Sequence, residues 1–264
     1  MKQTTTKEKI ATNKKLTDHR AIMLSKDVLR PVLNVIAGTR IPYKVKVEKT
    51  GDSQGSQPVI YAVNHFCFAD GPIMGRVAKK RSYILAGKQR LGLSDLLYFH
   101  LNGVIFVDRK DKEDMLASKK AIRAYLEKGR SVIIFPEGTW NLSENLLMLP
   151  MKWGIVDVAS EAGVPIVPVV LDYDRESNKC IACFGEKISF DKNCDKAMGI
   201  RILRDSLATM RYECMEHKGI YKRSEMNTLE ERKMLRYSLR EYPKIQWMYE
   251  QSCIFRPVYD RSTI

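Results

Sequence analysis

Length, composition and charge already limit what this chain can be. It has 264 residues, of which 44% are hydrophobic, and its formal net charge is +14. That is enough apolar material for one domain with a sizeable core, and we expect no second full domain. The 6 cysteines are too dispersed for a disulfide-stapled secreted scaffold, and no apolar run is long enough to span a membrane. Residues 1–15 lack the apolar core of a signal peptide, so we expect a reduced, cytoplasmic setting.

The N-terminal region, residues 1–40, combines positive charge with an amphipathic pattern. The first fifty residues contain 12 lysines and arginines against 4 acidic residues. Apolar residues recur at helical spacing from Ile22 to Ile36, with Pro31 expected to kink or divide the helix. We expect a basic tail and an amphipathic helix that associates with an anionic membrane surface, with packing on the domain as the alternative. No zinc-finger spacing or RNA-binding aromatic signature is present, so we expect no nucleic-acid partner.

The next elements are two strands and a helix. Tyr43, Val45 and Val47 alternate with charged residues, which predicts a half-buried or edge strand. The apolar run Val59–Val63 predicts a buried strand, and Asp70, two residues before a proline, is typical of a helix start. His65 therefore lies in the loop between this strand and this helix.

His65 and Asp70 form the first candidate site. An imidazole in such a loop can take up a proton near neutral pH, and a nearby carboxylate can fix its tautomer and stabilise the imidazolium. The pair therefore fits a general base and its orienting group. The alternative is a solvent-facing loop histidine beside a helix-capping aspartate, and the spacing alone does not decide between them.

Strands and helices alternate through the rest of the chain. Strands are predicted at Tyr83–Ala86, after Gly103, at Val132–Phe135, at Ile166–Leu171 and at Lys179–Phe190. Helices are predicted at Ser94–His100, Lys112–Glu127, Pro150–Ala162 and from Lys196 onward, where the inner face comprises Ile202, Leu203, Leu207, Met210 and Met215. This alternation predicts an α/β fold with a mixed central sheet flanked by helices. The loops that follow the strands, among them the loop with His65, should lie along one edge of the sheet.

Four stretches in order carry a family resemblance. Asn64–Asp70 resembles the H-x4-D motif of the glycerolipid (lysophosphatidic acid type) acyltransferases, and Gly103–Arg109 looks like their second motif. Phe135–Thr139 and Val164–Val169 are similar to the third and fourth motifs. The resemblance covers roughly residues 43–190. It implies a glycerol-3-phosphate acyltransferase-like domain over 41–195, with residues 196–264 as a helical extension packed on the same domain.

The resemblance also implies a reaction. A fatty acyl group would pass from a thioester of acyl carrier protein or coenzyme A to the free hydroxyl of lysophosphatidic acid, in phospholipid biosynthesis. His65 would be the general base and Asp70 would orient it. The family mechanism has no acyl-enzyme, so Cys67 is expected only to line the site, and no cofactor or metal is expected beyond the thioester co-substrate. The sequence has no second CxxC pair besides Cys180-x2-Cys183, which lies in a predicted strand, so we do not expect this pair to bind a metal.

Acceptor binding falls, by resemblance, to the second and third motifs. Arg109 offers a planar fork of donors for phosphate, and Lys88 matches a family lysine that faces phosphate. Glu137, Gly138 and Thr139 are expected to form a tight turn whose carboxylate and hydroxyl contact the glycerol part of the acceptor. The alternatives are that Arg109 pairs with Asp108 or Asp111 and that Glu137 only anchors its loop.

One position departs from the family pattern. Trp140 stands where many members have a phosphate-holding arginine, and tryptophan can stack on apolar or cationic surface but cannot neutralise a phosphate. The acceptor is therefore either lysophosphatidic acid or another amphiphile, such as a lyso-ornithine lipid. A non-catalytic lipid-binding relative is a further alternative. We expect a cytoplasmic protein that is peripherally associated with the inner face of the cell membrane.

Overall fold

The computed structural model describes Val32, residues 43–49, 57–67, 69–78 and 82–87, Phe99, and residues 102–141, 147–174 and 177–219. Four expectations lie wholly or mainly outside these residues. They are the N-terminal amphipathic helix, the helix Ser94–His100, Lys88, and the C-terminal extension beyond residue 219.

A seven-stranded mixed sheet forms the centre of the described part of the chain. Its strand order is β1-β7-β6-β2-β5-β3-β4, and β6 and β7 pair antiparallel whereas all other neighbours pair parallel. This confirms the predicted fold class and the edge position of β1. The strands are β1 (Lys44–Lys49), β2 (Ile60–Val63), β3 (Ser82–Gly87), β4 (Ile105–Val107), β5 (Ser131–Ile134), β6 (Ile166–Asp174) and β7 (Lys179–Phe184).

Four described helices cover the two faces of this sheet. They are α1 (Asp70–Val77), α2 (Lys112–Glu127), α3 (Gly154–Ala162) and α4 (Lys196–Glu216). Side chains alternate along β2, so Ile60 packs with α2, α3 and α4, whereas Tyr61 packs with Ile73 and Met74 of α1. Both faces of the central strands are therefore buried, as expected for a largely parallel sheet.

The parallel pairing places the functional loops together. β2 pairs with both β5 and β6, so these three strands end at the same edge of the sheet. The loop with His65 follows β2, and the turn with Glu137 follows β5. Arg109 comes two residues after β4, whose partner β3 pairs in turn with β5. Ligand sites in such sheets lie beyond the carboxyl ends of the strands.

Two element boundaries differ from the predictions. The helix expected from Pro150 begins at Gly154, because the preceding residues run back to the third motif, where the Lys152 amide donates to the Pro136 carbonyl at 3.0 Å. The strand expected to reach Phe190 ends at Phe184.

The inner face of α4 also differs at one position. Its buried residues recur every fourth position, at Gly199, Leu203, Leu207, Arg211 and Met215. Ile202 stands one residue before this row and is 47% exposed, so its assignment to the inner face was wrong. Met210 is partly buried against the core.

Candidate active site

The imidazole of His65 meets the carboxylate of Asp70. Nδ1 lies 2.8 Å from Oδ2, the histidine side chain is 21% exposed, and the aspartate side chain is fully buried. An ionised carboxylate can only accept hydrogen bonds, so Nδ1 carries the ring proton in this arrangement. Nε2, on the other side of the ring, is then the basic nitrogen.

Asp70 does not cap α1. The N-cap position is Ala69, which makes no side-chain capping bond. The carboxylate turns back into the loop instead, where Oδ2 also accepts the amides of Phe66 at 2.6 Å and Cys67 at 2.9 Å. Oδ1 accepts the hydroxyl of Tyr173. The helix-capping alternative is therefore wrong, and the buried charge is compensated by several donors.

Two aromatic rings enclose the imidazole. Phe135 stacks on it with ring centroids 4.2 Å apart, and Trp140 meets it edge-on at 6.1 Å. Trp140 is only 5% exposed. It therefore forms a wall of the histidine pocket and offers little free surface on which an acceptor could stack.

Glu137 ties the third motif to the backbone of the first. Its Oε1 accepts the amide of His65 at 2.9 Å, and its Oε2 accepts the amide of Leu149 at 2.8 Å. The amide of Asn141 donates to the His65 carbonyl at 2.7 Å. Both oxygens of this buried carboxylate are thus engaged by backbone amides, which is the geometry of the loop-anchoring alternative.

Arg109 reaches from the end of β4 to the turn of the third motif. Its Nη1 donates to the carbonyl of Gly138 at 2.5 Å, and the residue is exposed. We call this exposed part of the site, formed by Arg109 and the Gly138 turn, the rim. Gly138 has a φ of +74°, and a Cβ there would lie 2.8 Å from Nη1 of Arg109. Only glycine fits this position without displacing the guanidinium. Thr139, the next residue, is half-buried.

The two acids near Arg109 have local roles. The carboxylate of Asp111 accepts the amides of Glu113 and Asp114, which caps α2. The carboxylate of Asp108 accepts the amide of Lys110 at 3.0 Å. Both acids therefore shape the turn that delivers the guanidinium to the rim.

Two side chains at this edge, the buried Asn64 and the partly buried Tyr173, were not predicted to belong to the site. Asn64 forms two hydrogen bonds with the backbone of Leu171, at 2.7 and 3.1 Å, and so fixes the end of β2 to β6. Tyr173 lies near the end of β6, beyond the expected strand end, and bonds Asp70. In the sequence, an asparagine directly before His65 was a local signal for Asn64. Tyr173 had none, because the residues of β2 and β6 that meet are more than a hundred positions apart.

The thiol of Cys67 is buried beside the dyad and bonds Oδ1 of Asp70 at 3.6 Å. Burial, followed by the charge of Asp70, raises the pKa of this thiol well above its ordinary value. A protonated thiol is a poor nucleophile, in agreement with the expectation that Cys67 only lines the site.

Neither a metal cluster nor a membrane-spanning helix is present in the described residues. They contain no group of three or more His, Cys, Asp and Glu side chains that could hold a metal ion. Over the same part of the chain, no helix has both the length and the hydropathy needed to cross a bilayer.

One family model matches the central part of the chain. Residues 44–172 match the model described as Acyltransferase. This confirms the resemblance that the four motifs indicated, and the matched segment contains the dyad, Arg109 and the Glu137 turn.

Three known proteins are similar to part of this chain in sequence. The chain is 35% identical over 133 residues to 1-acyl-sn-glycerol-3-phosphate acyltransferase alpha of Homo sapiens, which covers 49% of this chain and 46% of that protein. It is 28% identical over 155 residues to the 1-acyl-sn-glycerol-3-phosphate acyltransferase of Saccharomyces cerevisiae (58% and 48%). It is 29% identical over 136 residues to a lyso-ornithine lipid O-acyltransferase of Pseudomonas aeruginosa (52% and 50%). The matched region spans about half the length of these relatives.

A solved structure shares the fold. The 1-acyl-sn-glycerophosphate (LPA) acyltransferase PlsC from Thermotoga maritima superposes with a TM-score of 0.57 at 16% identity, covering 71% of this chain and 80% of that one. The predicted glycerol-3-phosphate acyltransferase-like α/β fold is thereby confirmed.

Proposed function

We propose that this protein transfers a fatty acyl group from an acyl thioester to the free hydroxyl of lysophosphatidic acid. The observation that carries the proposal is the 2.8 Å contact between His65 and Asp70, inside the segment that matches the Acyltransferase family. The names of the yeast and human relatives support the choice of acceptor.

The proposed reaction needs one base. Nε2 of His65 takes the proton of the acceptor hydroxyl as its oxygen attacks the thioester carbonyl. The tetrahedral intermediate then collapses, the carbon–sulfur bond breaks, and His65 returns the proton to the leaving thiolate. Such base catalysis is typically worth about 10²- to 10⁴-fold. No covalent acyl-enzyme forms, and the thioester is a co-substrate, so no cofactor is required.

The acceptor phosphate would lie at the rim. Arg109 supplies charge-assisted donors there, and Lys88 is proposed to join it. Gly138 and Thr139 are proposed to contact the glycerol side, whereas Glu137 holds the loop. Because Arg109 and the dyad are joined through one turn, the phosphate and the reacting hydroxyl could be held at a fixed separation.

The donor and the membrane are further parts of the proposal. The thioester carrier is acyl carrier protein or coenzyme A, both of which are anionic and suit a chain of net charge +14. The basic segment 1–40 would hold the protein on the inner, cytoplasmic face of the cell membrane. The domain would extend from 41 to 195, and the packing of α4 on β6 and α3 supports assigning the segment after 195 to the same domain.

A second acceptor remains a candidate. The relative from Pseudomonas aeruginosa acylates lyso-ornithine lipid according to its name. In this chain Trp140 occupies the position of the arginine that many family members use for phosphate. A non-catalytic lipid-binding role is less favoured, because the complete dyad is present with base-catalysis geometry.

The test is an acyl-transfer assay on purified full-length protein. Labelled acyl-coenzyme A and acyl carrier protein thioesters are incubated with lysophosphatidic acid or lyso-ornithine lipid, and the products are separated. We expect labelled phosphatidic acid, with a loss of about 10³-fold in His65→Ala. His217→Ala is the control, because His217 is exposed and bonds the Glu213 carbonyl of its own helix. Product from lyso-ornithine lipid alone would contradict the choice of lysophosphatidic acid as acceptor. Unchanged activity in His65→Ala would contradict the role of His65 as general base.

A further inference from the structure

The hydroxyl of the partly buried Tyr173 contacts the dyad but has no part in the reaction as described. It lies on β6, and its hydroxyl donates to Oδ1 of Asp70. The other oxygen of the same carboxylate, Oδ2, faces Nδ1 of His65. Three side chains from two distant parts of the sequence are therefore joined by two consecutive hydrogen bonds.

The position of this phenol is fixed from two sides. The ring of Tyr43 meets it edge-on with centroids 4.9 Å apart, and the ring of Phe66 lies at 5.9 Å. The backbone carbonyl of Tyr173 accepts Nζ of Lys218 at 3.2 Å. The ring is thus packed between the edge strand and the first motif, and its backbone is held from the end of α4.

A buried ion cluster strengthens this attachment. Asp172, the residue before the tyrosine, pairs with Arg211 of α4 at 2.5 Å and with Lys218. The side chains of Asp172 and Arg211 are only 2% and 8% exposed. A buried, doubly paired carboxylate tolerates little displacement, because any movement leaves a charge without its partner. The end of β6 is therefore held firmly against α4.

The phenol remains a donor across the pH range of an enzyme assay. Burial, followed by the charge of Asp70, raises the pKa of Tyr173 well above its ordinary value. The ionisable groups around the carboxylate and the phenol come from the loop after β2, from β6 and β7, and from α4 and the residues that follow it. They are His65, Cys67, Asp172, Cys180, Arg211 and Lys218.

We propose that Tyr173 is a positioning residue that fixes the rotation of the Asp70 carboxylate, so that Oδ2 stays directed at the histidine ring. The terminal torsion of an aspartate is broad. The amides of Phe66 and Cys67 hold Oδ2, and the hydroxyl of Tyr173 adds a contact at Oδ1, so both ends of the carboxylate are held. This inference rests on the proposed acyl transfer, because it assigns a role within that site.

Removing the hydroxyl has a defined electrostatic consequence. In Tyr173→Phe, the remaining bond to Oδ1 from the described residues is the weak one from the Cys67 thiol, so the charge of Asp70 is less compensated. The carboxylate then attracts a proton, either its own or that of the imidazolium, more strongly. Both effects favour the protonated, inactive dyad, so the acidic limb of the pH–rate profile moves to higher pH.

The experiment compares Tyr173→Phe with Tyr125→Phe. Tyr125 is a buried tyrosine of α2 that packs against Tyr83, so its variant loses a buried hydroxyl without touching the dyad. For Tyr173→Phe we expect kcat to fall about 10-fold with KM unchanged, and the acidic limb to rise by about 0.5 pH unit. For Tyr125→Phe we expect neither change. An unmoved acidic limb in Tyr173→Phe would overturn the inference, even if kcat fell.

A second readout separates this inference from the proposed reaction. In protein labelled with ¹⁵N-histidine, the His65 ring signals report protonation without any substrate. We expect them to titrate at higher pH in Tyr173→Phe than in the wild type. If the wild type transferred no acyl group but the signals shifted, the proposed reaction would fail and the positioning role would stand. If the signals titrated identically in both proteins, the positioning role would fail.

Discussion

The dyad and the rim differ in how firmly they are held. Asp70 is fully buried and accepts five hydrogen bonds, whereas Arg109 is exposed and reaches its turn through the Gly138 carbonyl. Proton transfer requires a distance fixed to a fraction of an ångström, whereas a headgroup can be held by a side chain that adapts. Substitutions at the dyad should therefore lower kcat, and substitutions at the rim should raise KM.

The largest effect is expected from Asp70→Asn. The amide keeps the shape but removes the charge that holds the imidazole and accepts two loop amides, so kcat should fall about 10³-fold with KM little changed. Steady-state kinetics with lysophosphatidic acid provide the measurement. Asp205→Asn, an aspartate of α4 that is 71% exposed, is the matched control. A rise in KM at constant kcat would remove the distinction between the two regions.

Arg109→Ala should give the next largest effect. If Arg109 holds the acceptor phosphate as proposed, its loss should raise KM for lysophosphatidic acid about 10-fold and leave kcat within about 3-fold. Raising the salt concentration should reduce the difference, because the contact is exposed and screened. The control is Arg123→Ala, since Arg123 forms only an exposed pair with Glu161 at 3.3 Å. If KM were unchanged while kcat collapsed, Arg109 would belong to the chemistry instead of to binding.

Gly138→Ala separates backbone strain from displacement of the guanidinium. Gly138 and Gly129 share a positive φ, +74° and +71°, but a Cβ at Gly129 meets nothing within 4 Å. Each alanine variant should lower the free energy of unfolding by about 1–2 kcal/mol, as measured by urea titration. Only Gly138→Ala should also raise KM, by about 3-fold, because it displaces Arg109. Equal KM values in the two variants would argue against the contact.

The smallest effect is expected from Cys67→Ala. Burial raises the pKa of this thiol, so the thiolate is scarce at neutral pH and kcat should change by less than about 3-fold. In the folded protein, iodoacetamide should label Cys67 slowly even at pH 9, as followed by mass spectrometry of digests. Loss of activity to the level of His65→Ala would instead indicate a thiol nucleophile.

Local signals were read well from the sequence. The bounds of α2, Lys112–Glu127, were predicted correctly because an amphipathic pattern is followed directly by Gly129 in the sequence. The motif strand and the start of α1 at Asp70 were found for the same reason.

Long-range pairing was not readable in this way. Tyr173 and Asn64 enter the site because β6 lies beside β2, and no local pattern states which strands are neighbours. The shifted start of α3 has a similar cause, since the preceding segment bonds Pro136 of another motif. The contribution of Glu137 to the site, as a clamp on the backbone of His65, likewise depends on contacts between separate loops.

A double-variant cycle tests most directly whether His65 and Asp70 act as one unit. The kcat of His65→Ala, Asp70→Asn and the double variant is measured with the same thioester and acceptor. If the carboxylate acts only through the imidazole, the double variant loses no more than His65→Ala alone, about 10³-fold. If the two losses multiply, to about 10⁶-fold, the residues act independently and the account of a base poised by its neighbour is contradicted.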